Sequence, residues 1–308
     1  MVCLERHICK MNKQEKDNKT KERRIKQYEE LTFTDNFMFC KIMENNPDVC
    51  KKVLEIILGK RIREISFVSK ESTIDIKWNG KSVRLDVYVD DGKDTIYDIE
   101  MQARDNDNLP MRTRYYQSVL DLNQIEKGAD YDELKNNMVI FICTFDHFGK
   151  GLPVYTFSNR CKEVLELELG DGTNKVFVNA KGNTKNLSED FRAFLQYLNG
   201  EIVEDNSFVS TLENEVEAAR NKEEWRVEYM SLMVEFRERY KEGKEDGFAE
   251  GISVGVSREM ENGIRILIET GQEDGKSKEE LVNRLVDKYS LSLEEAQTNV
   301  QLYWKTNN

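Results

Sequence analysis

The side chains best placed to do chemistry lie on two short stretches, Val83-Arg-Leu-Asp-Val-Tyr-Val-Asp90 and Ile96-Tyr-Asp-Ile-Glu-Met-Gln102. In the first, Val83, Leu85, Val87 and Val89 alternate with Asp86, Tyr88 and Asp90; in the second, Tyr97, Ile99 and Met101 alternate with Asp98, Glu100 and Gln102. Strict alternation predicts two amphipathic strands, and Asp91-Gly92-Lys93 between them predicts a β-hairpin. A two-residue turn would pair Asp90 with Lys93 and set Asp86 against Tyr97, mixing polar and apolar faces, which burial disfavours. An odd loop of three or five residues sets Asp86 opposite Asp98 or Glu100, with every polar residue on one side, so the odd register is predicted. Directly opposed Cβ atoms are about 4.5–5.5 Å apart and diagonal ones about 7–8 Å, and either spacing lets two carboxylates bridge one cation. Oxygen ligands completed by water suit Mg²⁺ or Mn²⁺ rather than zinc. Such an ion activates water and stabilises charge on a scissile phosphate. On spacing alone a solvated hairpin face, where alternating Asp and Glu are common, is the better reading.

The elements around the hairpin are legible from caps and periodicity. Order is expected from Leu31, with Thr34 or Asp35 capping a helix that carries Phe39, Ile42 and Met43 and stops before Pro47. Pro47 opens a second helix that Gly59 ends. Strands are predicted at Ile62–Val68 and Thr73–Trp78, and a long helix from about Asn108 to Gly128 whose apolar stripe is Tyr115, Val119, Leu122 and Ile125. Further strands are predicted at Asn137–Thr144, Pro153–Phe157 and about Lys162–Leu169. Past residue 185 the pattern is helical, with Leu212–Tyr240 read as one amphipathic helix and Ile264–Tyr303 as a small helical hairpin or bundle. Gly243, Gly247, Gly251 and Gly255 recur every fourth residue, which fits equally a flexible linker or a helical seam for self-association.

Composition sets the outer limits. The chain has 308 residues, 3 prolines, 34% charged residues and a net charge of −12. It is too long for one ordinary domain, too poor in proline for collagen-like classes, and without an apolar run long enough to span a membrane. A chain this acidic repels nucleic acid as a whole, so contact with a polyanion requires local basic patches or bound cations. The six cysteines include no CxxC pair and there are two histidines, which excludes the usual zinc spacing and gives no local support to a Ser-His or Cys-His system. No secretory leader opens the chain, and a cytoplasmic protein with reduced thiols is expected. Residues 1–30 read as a basic disordered arm, with either Met1 or Met11 as its start; 31–200 as the core; 201–260 as the long amphipathic and glycine-periodic helices; and 261–308 as a small helical segment.

Asp86, thirteen intervening residues and then Glu100-Met-Gln102 on adjacent strands, after a helical opening, resembles the PD-(D/E)XK nuclease core. More narrowly, Arg84-Leu-Asp-Val-Tyr-Val and Tyr97-Asp-Ile-Glu-Met-Gln, with Thr34-Asp-Asn-Phe-Met-Phe, Arg114-Tyr-Tyr-Gln, Gly128-Ala-Asp-Tyr131 and the glycine-every-four helix, are similar to the recombination-promoting nuclease (Rpn) and transposase family. The resemblance covers about residues 31–255. It implies an α/β (α+β), restriction-endonuclease-like αβββαβ core with a mixed central sheet and a helical C-terminal region. It also implies Mg²⁺-dependent hydrolysis of DNA phosphodiesters by an activated water. Carried over, Asp86 and Glu100 would be the metal ligands, the Met101 carbonyl a third, and Asp35 a first-helix acid for which Glu44 and Glu55 compete. Gln102 stands where the wider superfamily has lysine; an amide hydrogen-bonds but carries no charge, which bears on rate.

Arg104, Arg114 and Gln117 are candidates for DNA phosphate, whereas Arg112 is read as part of a solvated helix face. Tyr115 and Tyr116 are read as core, His147 as a loop residue, and Lys135, Lys150 and Lys181 as surface lysines. The competing function is a catalytically weak nuclease fold that binds DNA or partners, with a homo-oligomer formed through the C-terminal helices.

Overall fold

The structure, a computed structural model, describes residues 26–67, 73–74, 83–105 and 107–305. Of the predicted basic arm only residues 26–30 fall within that range, and residues 75–78 of the predicted Thr73–Trp78 strand lie outside it. The chain forms two compact units, Met1–Met230 and Ser231–Asn308.

In the first unit, α1 (Asn36–Asn45) and α2 (Pro47–Leu58) follow a short 3₁₀ turn at Tyr28–Glu30. Pro47 occupies the first turn of α2, where its missing N–H loses nothing, and Gly59 closes the helix in the left-handed conformation at φ 64°. Strands β1 (Ser66–Phe67), β4 (Val87–Asp90), β5 (Thr95–Gln102), β6 (Asn136–Cys143), β7 (Val154–Ser158) and β8 (Thr173–Asn179) make a six-stranded sheet in the order β1-β4-β5-β6-β8-β7, and β2 (Thr73–Ile74) pairs separately with β3 (Val83–Arg84). β1, β4 and β5 are antiparallel, β5, β6 and β8 are parallel, and β7 returns antiparallel at the edge. Parallel strands need a crossover, and α3 (Leu109–Gln124) supplies it between β5 and β6. The sheet is mixed and α/β, as the resemblance implies.

The β4–β5 hairpin adopts the odd register, with Tyr88 opposite Asp98 and Asp90 opposite Ile96. A five-residue loop produces it. Asp91 Oδ1 accepts from the backbone N–H groups of Lys93, Asp94 and Thr95 at 3.0, 3.1 and 3.0 Å, and Gly92 takes a positive φ of 70°. The hairpin face is not solvated, however. All eight residues of β5 are buried, because α3 covers the polar side.

Three other expectations are corrected. Residues 162–169 form no strand; Leu165, Leu167 and Leu169 are exposed, and a single bridge joins Arg160 to Glu168. The strand beside β6 is β8, whose Val176, Phe177 and Val178 are buried as one continuous run, the pattern of a strand flanked on both sides rather than an alternating one. The predicted stripe on α3 is also displaced: Leu122 is 64% exposed and Tyr115 37%, while Leu109, Thr113, Gln117 and Leu120 are buried. Finally, Leu212–Tyr240 is not one helix: after α4 (Glu189–Leu198) come α5 (Ser207–Arg220) and then α6 (Glu223–Glu273).

α6 is 51 residues long and contains all four periodic glycines, which excludes the linker reading; a Cβ on any of them would meet nothing within 4 Å. In the second unit the later part of α6 packs with α7 (Lys278–Tyr289) and α8 (Leu293–Tyr303) around Ile264, Ile268, Leu281, Leu285 and Val300. A Cβ at Gly271 would press on the Leu281 side chain, which would have to shift. Ser292 caps α8, its hydroxyl accepting from Glu295 N–H while the Glu295 carboxylate accepts from Ser292 N–H.

Candidate active site on the central hairpin

The odd register brings Asp86 to the level of Glu100, and the two are joined reciprocally. Asp86 N–H donates to Glu100 Oε1 at 3.1 Å, and Met101 N–H donates to Asp86 Oδ2 at 3.1 Å. Gln102 gives its carbonyl to Thr144 N–H on the β6 side at 3.1 Å. Backbone groups in a parallel ladder alternate in direction, so Met101 turns its N–H and C=O toward the Asp86 side. Two carboxylates thus stand together across the hairpin, with the Met101 backbone on the Asp86 side. Asp86 is half-buried and Glu100 is 1% exposed.

Arg112, placed on a solvated helix face by its sequence context, is the centre of the cluster instead. Its Nη2 donates to Glu100 Oε2 at 3.0 Å and to the Tyr116 hydroxyl at 2.8 Å, and its Nη1 donates to Gln102 Oε1 at 2.9 Å. The guanidinium carbon also lies 5.2 Å from the Tyr116 ring centre and 5.1 Å from that of Phe141. Leu109, Arg112, Tyr116 and Leu120 follow helical spacing, so one side of α3 delivers both apolar and charged groups to the sheet. That spacing was the available signal, and apolar periodicity alone missed it.

Asp98, one pleat before Glu100, is fully buried, and neither of its oxygens has a hydrogen-bond partner among the described residues. Burial pushes its pKa well above the ordinary carboxylate value, Asp86 adds to the rise, and Arg112 opposes it. Glu100 is raised in the same way, by burial first, then by Asp86 and Asp98, against Arg112 and the Asp86 N–H bond. Tyr116 is pushed up to about 12, mainly by burial. Three carboxylates therefore face one guanidinium in a poorly solvated place, a surplus of negative charge that protons or a divalent cation would relieve. The oxygen-only donors fit a hard cation. Among the described residues no group of three or more His, Cys, Asp and Glu is gathered as a ready-made cage, so backbone oxygen and water would complete the coordination.

A stability test follows for the metal-free protein. A raised carboxylate is protonated in the fold while ionised in the unfolded chain, so folding takes up a proton and stability falls as pH climbs above about 4. Asp98→Asn removes this dependence. In EDTA its melting temperature should exceed the parent's at pH 8, and the gap should close toward pH 4, by up to about 1.4 kcal/mol per pH unit within the titrating window. Equal stability at pH 8 would show that Asp98 is not held protonated.

The other candidates sit elsewhere. Asp35 accepts from Thr32 N–H at 2.8 Å and Thr32 Oγ1 at 2.9 Å and pairs with Lys26 at 2.6 Å; it orders the turn before α1, and none of these partners belongs to the hairpin. Glu55 Oε1 accepts from Ile62 N–H at 2.8 Å. Gln117 is buried, its amide donating to Asn137 Oδ1 at 2.9 Å and to the Asn174 carbonyl at 3.2 Å, so it ties α3 to β6 and β8 rather than offering itself to phosphate. Arg104 and Arg114 are exposed. Tyr115 lies on the outer side of α3, Lys135 pairs with Asp90, and His147 Nδ1 lies 2.7 Å from Asp105 Oδ1 with its ring stacked on Phe177. Among the described residues no helix is long and apolar enough to cross a membrane.

Among known families, the one described as PD-(D/E)XK nuclease family transposase matches over residues 33–246. No curated protein and no solved structure matches significantly.

Proposed function

The chain belongs to the PD-(D/E)XK nuclease family transposases, and on that premise we propose that it is a Mg²⁺-dependent DNA endonuclease. The observation that carries this reading is the pairing across the hairpin in which Asp86 N–H donates to the Glu100 carboxylate and Met101 N–H to the Asp86 carboxylate, which brings the two carboxylates together beside the Met101 backbone. The two carboxylates and the Met101 carbonyl would hold Mg²⁺ or Mn²⁺. When bound, such an ion acidifies a water and offsets charge on the scissile phosphate. Arg112 holds Glu100 and Gln102 in fixed positions and places a positive charge beside Gln102, where the wider superfamily has lysine. Arg104 and Arg114 are exposed and would meet flanking phosphates. A cytoplasmic setting agrees with the thiols of Cys50, Cys143 and Cys161, none of which is in a disulfide.

A second reading has its own support. Gln102 is neutral and its Oε1 is already occupied by Arg112, which fits a catalytically weak fold that binds DNA or partners. Assembly through the C-terminal helices belongs to either reading and is measured by light scattering of the full chain. A truncation within α5 would not serve, because Tyr28 Oη donates to Ala219 O and Arg220 to Leu31 O, tying that helix to the first unit.

Plasmid cleavage by the purified full chain in Mg²⁺, Mn²⁺, Ca²⁺ or EDTA separates the two readings. Nicking expected in Mg²⁺ or Mn²⁺ and absent in EDTA would support the nuclease. Well-folded protein that neither cleaves nor binds these ions would leave the partner-binding fold.

A further inference from the structure

A cavity of about 620 Å³ lies on the flank of α3 opposite Arg112. It shares a sheet face with the carboxylates, since Glu100 lies opposite Phe141 and Phe141 opposite Phe177, and directly opposed residues point the same way. Two strand spacings, about 10 Å, separate the Glu100 and Phe177 rows. Arg114 sits roughly 200° around α3 from Arg112, so the helix presents the carboxylate cluster on one side and this cavity on the other.

Three features give the cavity a polarity. Arg112 reaches Gln102 at the end of β5 while Asp121 accepts from Asn137 Nδ2 at 2.6 Å near the start of β6, so α3 runs against these strands. Arg114 therefore lies at the end nearer Glu100 and Gln102, and Asp121, seven residues on, lies about 10 Å further along the helix. Between them the opposite wall is aromatic: Phe157, Phe148 and Phe177 form a cluster with ring centres 5.0–5.9 Å apart, and Phe157 is 42% exposed. Lys175 lies opposite Phe157 in the β7–β8 pair. Neither Arg114 nor Lys175 has an ion-pair partner among the described residues, in a chain of net charge −12.

We infer that this cavity holds one unpaired nucleotide of the DNA strand, its base against Phe157, its phosphate on Arg114 and Lys175, and its N–H edge toward Asp121. The inference rests on the nuclease reading and adds a substrate class to it: single-stranded or distorted DNA in which a base has left the stack. Paired bases cannot lay a face on a side chain, whereas unstacked ones do so readily on aromatic rings. Carboxylates accept from exocyclic amino groups, and free guanidinium and ammonium groups attract phosphate. The volume falls within the range of small-molecule sites, and Arg114 lies at the end of α3 nearer the carboxylate cluster.

The test uses the full chain in EDTA, which prevents cleavage, with fluorescein-labelled 15-mers that are single-stranded, fully paired, or paired with a one-base bulge. Single-stranded and bulged DNA should bind more tightly than the paired duplex. Phe157→Ala should weaken that binding about tenfold while changing duplex affinity less than twofold, and Arg114→Gln should weaken it about tenfold with a smaller loss on the duplex, whose flanking phosphates Arg114 also meets. Arg114 is exposed, so Arg114→Gln keeps the fold even if trimming Phe157 loosens the aromatic cluster. Parent-like affinity of both variants for single-stranded and bulged DNA, or an equal loss on the paired duplex, would overturn the pocket while metal-dependent plasmid nicking left the nuclease reading intact. Absence of binding to all three DNAs would overturn the pocket, with the nuclease reading then judged on nicking alone.

Discussion

Asp86→Asn and Glu100→Gln should each lower DNA cleavage by on the order of a thousandfold or more, while melting within a few degrees of the parent. Both changes keep the shape of the side chain. Each amide would still carry an oxygen able to accept the backbone N–H bond now received by the carboxylate of Asp86 or Glu100, so the hairpin keeps its register. What is lost is negative charge where charge is already in surplus, and relieving it costs the fold little. Cleavage suffers because neutral amides hold a divalent ion far less well, and electrostatic groups of this type commonly account for two to three orders of magnitude or more. The check is a single-turnover plasmid assay in Mg²⁺ beside a thermal melt. Parent-level cleavage by both variants would remove the hairpin from the chemistry.

Arg112→Met should destabilise the protein by about 3 kcal/mol in urea titrations in EDTA. Glu100 is 1% exposed, and Arg112 is its sole cationic partner among the described residues. Breaking a buried pair by removing one member leaves an uncompensated charge, with a typical cost of roughly 3–5 kcal/mol; the lower end applies because Glu100 can take up a proton. A surface arginine would change stability by no more than about 0.5 kcal/mol. Arg112→Lys should recover little, since one ammonium cannot bridge Glu100, Gln102 and Tyr116 as the planar fork does. Combining Arg112→Met with Glu100→Gln should recover most of the loss, the signature of coupling between neighbours. A loss below about 0.5 kcal/mol in Arg112→Met would return this residue to the solvated face its sequence context suggested.

Arg112 also shows where reading residues in order reaches its limit. Apolar periodicity selected Tyr115 and Leu122 for the buried side of α3, yet both are substantially exposed, and polar Arg112, Thr113 and Gln117 took the inward positions. Charged and amide side chains turn inward when a partner waits on another element, here Glu100 on β5 and Asn137 on β6. No window of α3 contains those partners. The missed β8 has a related cause. Leu165, Leu167 and Leu169 alternate with acids but found no strand to pair with, whereas Val176-Phe-Val178 lies beside β6. Asp35 was a sound helix cap by type, but its carboxylate closes on Thr32 and Lys26 instead of reaching the hairpin.

By itself the sequence determined the hairpin and its odd register, with Asp86 opposite Asp98 or Glu100, because alternation with period two and a turn-forming Asp-Gly are local signals that burial enforces across only two neighbouring strands. The nuclease fold was legible through the resemblance of its motifs, and the five-residue loop that selects Glu100 only in the structure. Tertiary structure alone decided that the polar face of β5 is buried under α3, and that among the described residues Asp98 has no hydrogen-bond partner and the Arg112 guanidinium stands against three carboxylates. Those facts depend on which element covers which, and the field at a buried carboxylate is the sum over groups far apart in the chain but a few ångströms apart in space.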